Sequence, residues 1–148
     1  MCLHTITKVT TLKRNLTVYK VVIKENGIYV NSFPSVTRTV FTVGSIVTDH
    51  IIGEISTTGG GPIPRYETGF HCWTSLKAAR IDRNDWHFPR HHILKGTIPN
   101  GTVVTVGINS IKQCTFPNSP LYCRCIVTKK LYINSFFAEV ETSFQPRC

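Results

Sequence analysis

The stretch LTVYKVVIKENGIYVNSF, residues 16–33, decides the fold. Its first nine residues are dense in β-branched and aromatic side chains, which fit a pleated and half-buried surface. Asn26-Gly27 follows, the strongest short-range hairpin signal, because a tight two-residue turn needs positive φ at both positions. Residues 28–33 then return as the partner strand. The same character continues through 38–43 and 45–48, on either side of Gly44.

Outward from that hairpin, residues 57–66 hold Gly59-Gly60-Gly61-Pro62 and Pro64 and read as a flexible loop. Three glycines can cradle a phosphate, but no Lys-Ser/Thr pair follows them, as a phosphate-binding loop requires. Residues 69–73 form a short strand. Thr74 or Ser75 is placed to cap a helix over 76–81, which leans on the sheet through Leu76 and Ala79. Residues 83–92 read as irregular. Strand character resumes at 93–98, turns at Pro99-Asn100-Gly101, and continues through 102–107 and 110–114. After a proline-bearing turn at 116–120, residues 121–133 read as one long strand, and 134–148 carry no clear signal. The expected fold is a β-rich α+β single domain spanning 1–148. It has a curled antiparallel sheet or partial barrel and one short helix near 74–82.

The chain has 148 residues and 41% hydrophobic side chains. A chain of that size buries roughly two thirds of its unfolded surface, so it builds a core without cross-links. Lys and Arg number 17 against 8 Asp and Glu, a formal charge of +9. Such a surplus attracts polyanions in a salt-dependent way. Nucleic acid, a nucleotide, an anionic membrane surface and an acidic protein are the partner classes it admits. No stretch is apolar enough over a sufficient length to span a membrane. The opening MCLHTITKVTTLKRN lacks the pattern of a secretory signal, so a cytoplasmic location is expected.

Residues 69–92, GFHCWTSLKAARIDRNDWHFPRHH, hold both tryptophans, four of the six histidines and three arginines. Trp73, Trp86 and Phe88 have the ring faces on which a base stacks. Arg80, Arg83 and Arg90 have forked donors that suit phosphate, with Lys95 nearby. The ligand-binding set read from this block is His71, Trp73, Arg80, Arg83, Trp86, His87, Arg90 and His92. No helix carries a basic stripe, which favours a pocket over a duplex-reading surface.

Catalysis has weaker sequence support. Removal of Met1 would expose Cys2 with its own amine as base, the logic of N-terminal nucleophiles. Cys2 and His71 are therefore the alternative working residues of a small enzyme. Among the six cysteines, Cys114, Cys123 and Cys125 make an alternative metal set. However, Cys123-x-Cys125 is expected to split its thiols between two faces of a strand, and a second close pair is missing. Ordinary cytosolic thiols and no cofactor are the expectation.

Several short motifs together resemble a loose family of small, mostly uncharacterised phage and gut-bacterial proteins. They are the opening Met1-Cys2-Leu3, Val18-Tyr19-Lys20-Val21, Phe33-Pro34, the GFH-x-x-x-SL-x-x-A block from Gly69, and the IP-x-GT pattern from Ile98. The chain departs from that pattern in its extra arginines, histidines and cysteines after Ala79. The resemblance carries over no catalytic residue. It implies a viral accessory protein, in the host cytoplasm or the virion. The expected function is binding of an anionic partner, nucleic acid or a phosphorylated small molecule, without catalysis. A virion structural or assembly protein is the alternative, with other virion proteins or further copies of the chain as partners. A small enzyme acting on a nucleotide or a protein is the second alternative.

Overall fold

The computed structural model describes residues 3–31, 39–85, 91–111 and 121–137, with the side chains of 84 and 85 excepted. The strands are β1 (Thr5–Thr11), β2 (Leu16–Glu25), β3 (Ile28–Asn31), β4 (Val40–Phe41), β5 (Ile46–Thr48), β6 (Glu54–Ser56) and β7 (Arg65–Glu67). After β8 (Phe70–Trp73) comes the helix α1 (Leu76–Asp85), then β9 (His91–Ile98), β10 (Val103–Ile111), β11 (Leu121–Thr128) and β12 (Lys130–Phe137). Ten of these strands form one antiparallel sheet, while β6 and β7 pair as a separate ribbon.

The sheet follows the order β1-β10-β11-β8-β2-β9-β12-β5, with β3 and β4 branching from β2. Its two ends, β1 and β5, do not pair, so the sheet is not closed into a barrel. The β-rich character, the antiparallel sheet and the short helix agree with the sequence reading.

Strand β2 occupies the centre. Val18 and Val22 face one apolar layer, with Phe70, Leu94, Val104, Ile126 and Leu131. Tyr19 packs against a second layer, with Trp73, Ala78, Ala79, Ile93 and Val127. Burial on both faces explains why 16–24 reads as a nearly continuous apolar run. The β2–β3 turn has Asn26 at φ 49° and Gly27 at φ 80°, as the Asn-Gly signal requires.

Ser75 caps α1: its Oγ accepts the Ala78 N–H at 3.1 Å. The helix runs to Asp85, four residues past its sequence-read end. The β6–β7 ribbon inserts Tyr66, 3% exposed, into the second apolar layer.

Near Lys20, β2 changes neighbours on one side. It meets β8 at Tyr19↔Trp73 and pairs with β3 from Val22 to Glu25. Lys20 lies at this fork, 4% exposed, and its ammonium donates to the His71 carbonyl at 3.2 Å. The side chain supplies a donor to backbone where the two partner strands diverge. Burial lowers its pKa below the ordinary lysine value.

Candidate functional site

The proposed ligand set divides between the core and one end of the sheet. Trp73 is 1% exposed and sits in the second apolar layer. Its indole N–H donates to Asp82 Oδ2 at 2.8 Å, which ties β8 to α1. A ring enclosed in this way presents no face to a base, which corrects the stacking role expected from the sequence.

His71 is also interior. Its Nδ1–H donates to the Gly69 carbonyl at 3.2 Å, which fixes the neutral tautomer. Nε2 therefore accepts the Tyr66 hydroxyl proton at 2.8 Å, and the Tyr66 oxygen accepts the Leu3 N–H at 2.8 Å. Burial, with the Lys20 charge second, lowers the His71 pKa to about 3. Its lone pair is engaged and its basicity suppressed, so His71 is a structural histidine in this fold. The other alternative working residue, Cys2, lies outside the described residues.

Helix α1 buries Ala78, Ala79 and Asp82 and turns Lys77 and Arg80 to solvent. One turn later, Arg83 Nε donates to the His91 carbonyl at 3.0 Å. The helix does carry a basic face, contrary to the sequence reading. That face was hidden because Asp82 makes the composition look mixed, yet Asp82 points inward at Trp73.

His92 stands beside Arg83 at the start of β9, and its surroundings give the site its shape. Val22 pairs with Asn31 on one side and His92 on the other, so the three form a row across β3, β2 and β9. Directly opposed residues share a face. In the next row Lys24 opposes Tyr29, with Lys24 Nζ 5.6 Å from the Tyr29 ring centre. Phe136 of β12 stacks on Tyr29 at 3.6 Å with planes 5° apart, and His92 meets Tyr29 edge-on at 5.6 Å. Sequence reasoning missed Lys24, Tyr29, Asn31 and Phe136, because only the register of four strands assembles them.

Burial lowers the His92 pKa below the ordinary histidine value, the Phe137 backbone opposes that shift, and the Lys24 and Arg83 charges add to it. The ring is therefore neutral at pH 7. Two polar atoms in the row are shielded from solvent and lack a hydrogen-bond partner: Asn31 Oδ1 and His92 Nδ1. Both lie where β3 and β9 meet chain outside the described residues, and Phe137 ends β12 beside them. Trp86, His87, Phe88 and Arg90 fall in the segment before His91 and lie outside the described residues, as does Cys114 of the alternative metal set.

Cys123 and Cys125 both belong to the second apolar layer. Residues two apart on a strand share a face, so the expected split of these thiols is corrected. Cys72, Cys123 and Cys125 are free. Burial pushes the Cys72 thiol up to about 11 and raises Cys123 and Cys125 as well, which leaves all three weak nucleophiles. Among the described residues no group of three His, Cys, Asp or Glu side chains is arranged to hold a metal ion.

A hollow of about 80 Å³, lined by Val9, Val103, Thr105, Val127, Thr128 and Lys129, lies away from this row. No helix among the described residues is long and apolar enough to cross a membrane. Comparison with known proteins found no matching family model, curated protein or solved structure.

Proposed function

We propose that the chain is a non-catalytic binding module for an anionic partner, nucleic acid or a phosphorylated small molecule, of the phage-accessory kind. The partner docks at the end of the sheet where β2, β3, β9 and β12 present Lys24, Tyr29, His92 and Phe136. The observation that carries this reading is electrostatic. The charged side chains acting on His92, Lys24 and Arg83, are both cationic. Lys77 and Arg80 extend the same sign along α1, and the chain as a whole has a formal charge of +9. In this reading the open sheet curls around its apolar face, and the site lies at the rim of that curl. The host cytoplasm or the virion is where such a protein would act.

The test is fluorescence anisotropy of a labelled single-stranded oligonucleotide, with inorganic triphosphate as the small-anion competitor, across a salt series. Binding that falls with salt, and falls further in Lys24→Ala and Arg83→Ala, supports the module. The absence of binding to either probe at low salt would sink it.

One feature favours the assembly alternative. Ile46 of β5 and Tyr132 of β12 pair at the sheet's end with 57% and 36% exposure, and Val43 beside them is 58% exposed. Apolar groups gathered at an open sheet edge suit contact with another copy or another virion protein. Sedimentation across a concentration series distinguishes this, since an assembly subunit associates and Ile46→Lys abolishes the association.

A further inference from the structure

We infer that the open edge of β1 docks an extended segment of a partner protein in which apolar and acidic residues alternate. The site is separate from the rim proposed for the anionic partner, because β1 ends the sheet order four strands away from β2. Among the described residues β1 pairs with β10 alone. The loop after β6 donates to the Leu3 and His4 carbonyls, while Thr7, Lys8, Val9 and Thr11 further along are exposed. Leu12 turns its N–H to the Thr102 carbonyl and its carbonyl to the Gly101 N–H, on the β10 side. Backbone direction alternates along a strand, so Thr10 also faces β10, and Val9 and Thr11 present N–H and C=O outward. A row of outward backbone groups is a template for an added strand.

The side chains along this edge define what that strand carries. Val9 opposes Thr105, and Thr105 opposes Val127, so the three share one face. With Val103 they line the hollow of about 80 Å³. Val9 and Val103 are each 58% exposed, so the hollow is reached from solvent beside β1. An added residue opposite Val9 stands about 5 Å from it on the same face, with its side chain at the mouth of the hollow. Glu67 also lines the hollow, but Lys129 pairs with it at 3.8 Å. The balanced pair leaves the mouth suited to an apolar side chain.

Lys8 is exposed and points to the opposite face from Val9. In the added strand, the residues on either side of the one opposite Val9 share the face of Lys8, and a carboxylate there meets the ammonium. Lys13 and Arg14, both exposed, continue the positive charge past the end of β1. From Thr5 to Asn15 the chain carries these three cations and no acid. That run opposes pairing with a second copy, which would bring the same three cations to the shared edge, and it selects an acidic segment. The outward backbone groups select an extended polypeptide, whose N–H and C=O groups match them. Nucleic acid supplies the charge without that ladder.

Fluorescence anisotropy of short labelled peptides in about 0.15 M salt tests this. One peptide alternates valine with glutamate, a second serine with glutamate, a third valine with lysine. The valine-glutamate peptide is expected to bind about ten-fold tighter or more than either of the others. Lys8→Glu weakens it by about five-fold and strengthens the valine-lysine peptide. Val9→Pro removes an outward N–H, spares the ladder to β10 and weakens both valine peptides. Methylating alternate amide nitrogens of the valine-glutamate peptide, in each of the two possible sets, gives the same readout on the wild type if Val9→Pro does not fold: one set loses binding. Equal affinity of the valine-glutamate and serine-glutamate peptides overturns the inference, since charge alone then suffices. Absence of peptide binding overturns it too, as does displacement of the peptide by an unlabelled oligonucleotide, which places it on the cationic rim. Sedimentation of the protein alone covers the remaining occupant: a dimer that Val9→Pro abolishes assigns the edge to a second copy and overturns the inference.

Discussion

The Tyr66 hydroxyl and His71 Nε2 stand 2.8 Å apart inside the second apolar layer, and the same hydroxyl oxygen receives the Leu3 N–H. The N-terminal segment, β7 and β8 meet at one oxygen. The sequence block richest in chemistry thus contributes a histidine that fastens the N-terminal segment to the sheet.

A pH dependence follows from that burial. His71 titrates near 6.5 when unfolded and at about 3 when folded, so the unfolded chain binds the proton more readily. Its contribution to stability is complete above about pH 6.5 and is lost as pH falls toward about 3, at about 1.4 kcal/mol per pH unit. Urea denaturation of the wild type and His71→Gln between pH 7 and pH 4 checks this. The gap between the two proteins narrows as pH falls. A constant gap would show that His71 is not held neutral.

Tyr66→Phe tests the other half of the pair. The ring still fills its place in the layer, but His71 Nε2 and the Leu3 N–H lose their shared partner. A stability loss of about 1–3 kcal/mol is expected, from unpaired buried groups rather than from a cavity. The urea midpoint should drop with an unchanged slope. An unchanged midpoint would mean that water reaches both groups.

The legible parts of the fold were those with local signals. Asn26-Gly27 announced its hairpin, and Thr74-Ser75 announced a cap, which Ser75 makes. Residues 121–133 read as one strand because no glycine or proline interrupts them. The chain turns there through a side chain instead, with Thr128 Oγ1 donating to the Lys130 carbonyl at 2.9 Å. The polar run TITKVTT gave no core pattern, and as β1 it lies at one end of the sheet order, paired with β10. The site was harder still. His92 was found by residue type, but its neighbours were sought nearby in sequence. Tyr29, Asn31 and Phe136 come from strands that only sheet register brings together. Trp73 was misread because nothing local reveals that α1 covers it.

Trp73→Phe separates core from binding surface. The change shrinks a fully buried side chain and removes the donor to Asp82, which stays buried at 9% exposure. A loss of about 2–4 kcal/mol is expected, from the void and the lost hydrogen bond together. Affinity of the folded protein for a labelled oligonucleotide stays at the wild-type value. A stability near wild type with reduced affinity would return Trp73 to the ligand surface.

The glycine triplet has a steric role that composition alone did not reveal. The Gly59 N–H donates to the His4 carbonyl at 2.8 Å and the Thr58 N–H to the Leu3 carbonyl at 3.0 Å, so this loop grips the N-terminal segment. A Cβ on Gly59 would fall 2.6 Å from His4 Cε1 and 2.8 Å from the His4 carbonyl oxygen. The imidazole can swing aside, but the carbonyl cannot move without breaking the hydrogen bond that Gly59 makes to it. Gly59→Ala therefore destabilises by about 1–3 kcal/mol and raises amide exchange at Leu3, Thr58 and Gly59. Gly60→Ala meets open space, but at φ 71° it costs about 1–2 kcal/mol through its own backbone. The two variants have similar melting temperatures, yet only Gly59→Ala frees the Leu3 amide. Equal exchange at Leu3 in both would show that the loop does not hold the N-terminal segment.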